Sequence, residues 1–175
     1  MAGRPRDPGI DGAVIAAAAD LLARQELATL PMEAVAERAG VAKSTVYRRW
    51  ANGDALIADT VDSLDRPPPG RPGASLAEDL ARFVESLRPV ARLLPSLNLL
   101  ARRNPGTQTR LVALIDGRRL FLEEALARAE SRGELRDRPD STSLLHLLIA
   151  AASHDASETA VRLLIRGLRA TEAAQ

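Results

Sequence analysis

Residues 43–50 form a short run of cationic and hydroxyl-bearing side chains, the part of this chain best suited to binding another molecule. Val46 and Trp50 are apolar and four residues apart, so on a helix both face inward. The other side chains then share the outer faces. Arginine binds guanine edges bidentately, serine and threonine bond bases or phosphates, and tyrosine reaches phosphates. The segment therefore predicts a DNA-contacting helix with the outward residues Lys43, Ser44, Thr45, Tyr47, Arg48 and Arg49.

The residues before this segment predict a second helix joined to it by a tight turn. Pro31 lies where a first helical residue is expected, and Met32, Val35 and Ala36 follow at helical spacing. Gly40 ends that helix, because glycine accepts the positive φ of a left-handed cap. Helix, glycine turn and short helix together predict a helix-turn-helix over residues 32–50.

A solvated helical hairpin is the alternative interpretation of the same segment. Most short basic helices in proteins are solvated faces with no partner. Tyr47 argues against that interpretation here, because an outward aromatic side chain beside Arg48 and Arg49 favours a bound partner.

The rest of the chain also carries helical periodicity, interrupted by proline, glycine and turn residues. No segment alternates with period two, so we predict an all-α fold of about nine helices. The proline-rich stretch Arg66–Gly73 predicts a boundary between an N-terminal helix-turn-helix domain, residues 1–65, and a C-terminal helical bundle, residues 74–175. The predicted helices outside the helix-turn-helix cover 10–24, a segment capped by Asn52, 76–88 ended by Pro89, 90–103, a long segment from a Thr107 cap to Gly133, 140–153 and 156–170.

Whole-chain composition excludes several classes of protein. The 175 residues contain no cysteine, which excludes disulfides, thiol nucleophiles and cysteine-ligated metal. The sequence has no apolar run of membrane-spanning length and no signal peptide, so we expect a cytoplasmic protein. We also expect no cofactor. Net charge is +1, and residues 1–65 hold seven Lys and Arg against ten Asp and Glu. Any DNA-facing surface must therefore be a local edge rather than a broad basic patch.

The segment Met32–Leu56, MEAVAERAGVAKSTVYRRWANGDAL, resembles the helix-turn-helix of the TetR/AcrR family of repressors. The preceding GRPRDP arm and the Ile10–Arg24 helix resemble the start of that family. The resemblance implies a DNA-binding transcriptional regulator, a ligand-responsive repressor that binds a palindromic operator as a homodimer. It implies that residues 43–49 are the recognition helix, and it places a DNA-contacting role on Lys43, Thr45, Tyr47 and Arg49, with Arg4 and Arg6 as a minor-groove arm.

The sequence departs from the family pattern at two phosphate-binding positions. Pro31 and Met32 stand where the family often has threonine or serine, and Gly53 stands where it often has lysine. Because phosphate contacts dominate affinity, we expect weaker or more salt-sensitive DNA binding than in a fully equipped relative.

The C-terminal segments carry the predicted dimer interface and ligand pocket. Residues 144–152 are apolar on too many sides for one monomer to bury, so we expect the last two helices, about 140–170, to form a homodimer. Arg118 or Arg119 would favour an anionic effector if it faced a pocket, but a solvated face is the simpler expectation. The effector is an unidentified small molecule. Plain core packing is the alternative interpretation of each residue that could line its pocket, which are Phe83, Leu87, Leu93, Leu97, Leu100, Phe121 and His146.

Three alternatives compete with the regulator interpretation. An enzyme would need convergent catalytic side chains, whereas the neighbours Ser153, His154 and Asp155 point about 100° apart on a helix. His154 and Glu158 are four residues apart, but two ligands are too few for a metal site. A ligand-independent DNA-binding protein would share the first domain and need no pocket, and a helical interaction module would not bind DNA.

Overall fold

The chain forms eight α-helices in the residues that the computed structural model describes, which are 8–24, 27–65, 72–135, 137–153 and 157–168. The predicted all-α class is confirmed. The helices are α1 (Pro8–Arg24), α2 (Met32–Arg38), α3 (Lys43–Tyr47), α4 (Gly53–Leu64), α5 (Leu76–Ala101), α6 (Pro105–Ser131), α7 (Ser141–Ala152) and α8 (Ser157–Leu168).

Two compact units divide these helices. The first comprises residues up to Leu64 together with Leu93–Val112, and the second comprises Asp65–Arg92 and the residues from Ala113 onward. The domain division predicted at residues 66–73 stays a prediction.

The first unit is built around α1, which packs against α2 and α4, while α2 packs against α3. Its buried hydrophobic side chains are aliphatic apart from Trp50 and Met32, because the chain has few aromatic residues to offer. Removing this apolar surface from water is the main stabilising term. The buried residues include Val14, Ala18, Leu22, Val35, Ala36, Val46, Trp50, Leu56, Ile57 and Val61.

Ser96 of α5 joins the first unit at the end of α1. Its fully buried hydroxyl donates to the Leu22 carbonyl over 2.8 Å and accepts from the Leu27 backbone N–H over 3.1 Å. Both backbone groups lie at or beyond the last turn of α1, where helical partners are missing. One side chain therefore satisfies two backbone groups in the region where α1 ends.

The second unit has a separate apolar core contributed by α5, α6, α7 and α8. Phe83 and Phe121 stack within it, with ring centroids 5.2 Å apart. The buried members of this core are Leu76, Leu80, Phe83, Val84, Leu87, Ala91, Leu122, Leu126, Ala129, Leu144, Leu145, Leu148 and Ala152.

The prediction that a helix ends at Pro89 is wrong, because α5 runs unbroken through Pro89 and Pro95. An interior proline removes one backbone hydrogen bond and costs about 3 kcal/mol. Both prolines lie on the exposed side of α5. The buried stripe passes both positions on the opposite side, and its burial offsets the cost.

Polar side chains cap the N-termini of α4 and α6, and the cap of α6 is not the residue that the sequence predicted. Asn52 accepts from the Ala55 N–H over 2.9 Å, which confirms it as the cap of α4. The prediction of Thr107 as the cap of α6 is wrong: the Asn104 side chain accepts from the Thr107 N–H over 3.1 Å, and Thr107 is buried. An amide oxygen three residues before the donor has the reach that N-capping requires.

Among the described residues, no helix combines the length and the apolar character that crossing a bilayer demands.

Candidate nucleic-acid interface

The turn between α2 and α3 is a glycine-terminated helix end. Gly40 has φ +67°, its N–H bonds the Glu37 carbonyl over 3.1 Å, and the Val41 N–H bonds the Ala36 carbonyl over 3.0 Å. These two bonds are the Schellman pattern, which a residue with positive φ allows. The predicted role of Gly40 is confirmed, and this turn sets the direction in which α3 starts.

Two side chains anchor α3 to the rest of its unit. Val46 is fully buried and Trp50 is 5% exposed, so the predicted inward pair is confirmed. The Trp50 indole N–H donates to Asp59 of α4 over 2.7 Å. Because a buried indole N–H needs an acceptor, this bond fixes the orientation of the ring and of the residues that precede it.

The opposite side of α3 faces solvent. Lys43, Ser44, Tyr47 and Arg48 are exposed, and we call these four residues the outer face of α3. Thr45 is half-buried at its margin. Tyr47 is one of the few large apolar side chains exposed in the described residues, at 44%. The outer face thus presents two cationic groups and two hydroxyl groups together.

The expectation that Arg49 shares the outer face is wrong. Its side chain is only 8% exposed and its Nε pairs with the carboxylate of Asp11 on α1. Arg49 lies two residues after the end of α3, and its side chain is directed toward Asp11 of α1. The guanidinium is therefore engaged inside the unit rather than directed at a groove.

Glu33 of α2 contacts the outer face of α3, which the sequence analysis missed. Its Oε1 accepts from the Tyr47 hydroxyl over 3.3 Å and lies 3.4 Å from Lys43 Nζ. The main cause that lowers the pKa of the Glu33 carboxyl below its usual value is a hydrogen bond to its own backbone N–H, and Lys43 lowers it further. Glu33 is therefore an anion at neutral pH.

Several predicted site residues lie outside the described residues. Arg4 and Arg6 of the N-terminal arm are among them, as are His154 and Asp155. Ser153, which is described, caps the end of α7 by bonding the Ile149 carbonyl over 3.0 Å. The described part of the chain holds no group of three His, Cys, Asp or Glu residues arranged to bind a metal ion.

The residues predicted to line a ligand pocket are divided between the two compact units. Phe83, Leu87 and Phe121 belong to the core of the second unit, whereas Leu93, Leu97 and Leu100 are buried residues of the first. His146 is exposed on the side of α7 opposite to the buried Leu144, Leu145 and Leu148, and its place in a pocket stays a prediction. The pocket itself stays a prediction.

Arg118 is buried, contrary to the expectation that a solvated face holds Arg118 and Arg119. Arg118 is 4% exposed, and this desolvation lowers the pKa of its guanidinium, an effect that Asp65 partly opposes. Arg119 is more exposed and pairs with Glu123 over 2.6 Å and with Asp116 over 3.6 Å. The two neighbours differ because adjacent residues point about 100° apart on a helix.

Two leucines of the last two helices are exposed. Leu147 on α7 is 55% exposed and Leu163 on α8 is 62% exposed, although α7 and α8 pack against each other and contribute to the core.

Comparisons with known proteins converge on one family. Residues 14–60 match the model of bacterial regulatory proteins of the tetR family, and residues 67–173 match the tetracyclin repressor-like C-terminal domain. The uncharacterized HTH-type transcriptional regulator YdeS of Bacillus subtilis (strain 168) is 30% identical, over 99% of this chain and 96% of that protein.

Solved structures share the fold. The reduced form of Escherichia coli NemR superposes with a TM-score of 0.70 at 14% identity, covering 94% of this chain and 100% of its own. NalD of Pseudomonas aeruginosa, the secondary repressor of the MexAB-OprM multidrug efflux pump, gives 0.62 at 20% identity and covers 93% and 98%.

Proposed function

This chain belongs to the TetR family of bacterial transcriptional regulators, and from that premise we propose that it is a ligand-responsive repressor that binds a palindromic operator as a homodimer. Members of the family are DNA-binding transcription factors and not enzymes. The repressor is expected to act in the cytoplasm, where a bacterial chromosome lies.

The observation that carries this proposal is the outer face of α3. Lys43, Ser44, Tyr47 and Arg48 project from a helix held on its other side by Val46 and Trp50. A rigid helix with cationic and hydroxyl side chains suits the major groove, where arginine reads guanine and hydroxyls bond bases or phosphates. We assign DNA contact to these four residues and to Thr45, and not to Arg49, which Asp11 engages.

A homodimer supplies the contacts that one small reading helix lacks. Two recognition helices spaced one DNA turn apart read two half-sites, and a two-fold symmetric dimer matches a palindrome. The exposed Leu147 and Leu163 support an interface built from α7 and α8 of each subunit.

Ligand response is the remaining part of the proposal. An effector lowers DNA affinity only if it binds the two conformational states of the repressor with different affinity. NalD is described as the secondary repressor of a multidrug efflux pump. For this chain we propose repression that a small molecule relieves.

Selection of bound sequences from a random DNA pool tests the proposal. We expect enrichment of a palindromic site, and we expect Arg48→Ala to lower affinity for that site by roughly 10- to 100-fold. Arg103→Ala removes an exposed arginine elsewhere in the first unit and serves as the matched control, with affinity unchanged. If no sequence is enriched, or if both variants bind as the wild type does, the proposal is wrong.

A further inference from the structure

We propose that Glu33 holds the place of a DNA phosphate in the free protein and so limits its affinity for DNA. This inference rests on the proposed DNA-binding function and deepens it, because it names the residue that opposes binding at the same surface. One carboxylate oxygen of Glu33 receives the Tyr47 hydroxyl and lies beside the Lys43 ammonium group. Both donors belong to the outer face of α3.

The chemistry of these contacts is the chemistry of a phosphate contact. A DNA phosphate offers an anionic oxygen to a lysine ammonium and a tyrosine hydroxyl, which is what Glu33 Oε1 offers them in the free protein. The Tyr47 hydroxyl has a single proton and cannot donate it to both acceptors, whereas the Lys43 ammonium group has three donors. A phosphate that accepts from Tyr47 must therefore displace the Glu33 carboxylate from that hydroxyl.

The displaced carboxylate stays close to the DNA. Glu33 lies in the first turn of α2, and its side chain is 54% exposed beside that of Lys43, which is 62% exposed. An anion left next to a phosphate repels it, because the two charges are closer than the screening length at physiological salt. Glu33 thus opposes binding twice, by competing for the donors and by its own charge.

The Glu33 contacts are weak enough to be exchanged. Both distances exceed those of strong charge-assisted hydrogen bonds, and exposed ion pairs of this kind contribute little to stability. Glu33 therefore acts on the binding equilibrium without being needed for the fold. A substitution of Glu33 should therefore change the affinity for DNA while leaving the stability of the fold nearly unchanged.

The experiment measures affinity for random-sequence duplex DNA about three helical turns long, by fluorescence anisotropy over a series of salt concentrations. Random-sequence DNA suffices because phosphate contacts carry no sequence information. We expect Glu33→Gln to tighten binding roughly three- to tenfold at low salt. The salt dependence should also steepen by about one counterion per chain, because no freed carboxylate then takes up a cation.

Glu37→Gln is the matched control. It removes the same charge from an exposed position one turn further along α2. We expect its affinity to stay within about twofold of the wild type, since the Glu37 carboxylate should act only through its charge, which salt screens. In a Tyr47→Phe background the gain from Glu33→Gln should shrink, because the proton for which Glu33 and a phosphate compete is gone.

The outcomes separate this inference from the proposed function. Wild-type protein that binds no duplex DNA contradicts the proposed function itself. Wild-type binding with Glu33→Gln equal to Glu37→Gln overturns the phosphate-mimic role and leaves net charge as the only effect. Binding weakened by Glu33→Gln, with an unchanged melting temperature, also overturns it, since Glu33 would then support the donors rather than compete for them.

Discussion

Arg49 belongs to the predicted DNA-binding segment, but its side chain stabilises the packing of the fold rather than contacting DNA. Its guanidinium is nearly buried and pairs with Asp11, 38 residues earlier in the chain. A bidentate contact with guanine requires a guanidinium free to enter the groove, and a desolvated ion pair holds it back. Arg49 therefore positions α3 against α1, and its effect on DNA is indirect.

We expect Arg49→Ala to lower the free energy of unfolding by about 1–3 kcal/mol, because it leaves the partly buried Asp11 carboxylate without its arginine. Asp11→Ala should cost a similar amount, and the double variant should cost less than the sum. Thermal unfolding measures the loss, and pool selection measures sequence preference. Relaxed preference at one base pair with unchanged stability would show that Arg49 reads DNA after all.

The sequence predicted the two apolar residues of this segment that face inward, but it missed Arg49 and did not predict the partners of the polar residues. Spacing alone placed Val46 and Trp50 in the core, because helical periodicity is a local property. The pairing of Arg49 with Asp11, and of Lys43 with Glu33, depends on how three helices pack. A search for acids on α2 near the start of the recognition helix would have found Glu33, since the turn at Gly40 brings the two helices together.

At the scale of the element, α5 shows why helix boundaries were harder to predict. Proline is a local signal for a helix end, and Pro89 was interpreted in that way. What decides the outcome is the continuous buried stripe from Leu80 to Leu100, which exists only once the neighbouring helices are in place. The exposed faces at Pro89 and Pro95 were encoded in the same periodicity and could have been predicted from it.

Ser96 gives a prediction at this scale, because its hydroxyl joins α5 to the end of α1. We expect Ser96→Ala to lower the free energy of unfolding by about 1–3 kcal/mol, since it leaves the Leu22 carbonyl and the Leu27 N–H without this partner. Chemical denaturation measures the change. Ser86→Ala is the matched control within α5: its hydroxyl donates to the Phe83 carbonyl three residues earlier in the same helix, so the loss should be within about 0.5 kcal/mol. Equal losses in both variants would contradict the bridging role.

At the scale of the whole molecule, we relate the charges of residues 1–65 to DNA binding and the exposed leucines of α7 and α8 to dimer formation. Residues 1–65 carry more acids than bases, yet Asp11, Asp20 and Glu33 are each paired with a basic side chain. The unit proposed to bind DNA therefore depends on a local cationic face, and its affinity should be strongly salt-dependent and modest for one subunit. A second copy of the chain is the simplest way to raise that affinity.

The dimer proposal is tested by placing a charge on the exposed leucines of the last two helices. Leu147→Asp and Leu163→Asp each put a carboxylate where we expect α7 and α8 to meet their symmetry mates, and burying an unpaired charge is costly. Sedimentation should then report monomers where the wild type is a dimer. Affinity for a palindromic site should fall roughly a hundredfold, because the two half-sites are no longer linked.

Leu120→Asp is the control for that experiment, since Leu120 lies on α6 in the same unit and is 57% exposed, close to the value for Leu147. The same charge there should leave the dimer intact, because the solvent side of α6 is outside the proposed interface. Dimers that persist in both Leu147→Asp and Leu163→Asp would move the interface elsewhere. Dissociation caused by Leu120→Asp alone would place α6, rather than α7 and α8, between the subunits.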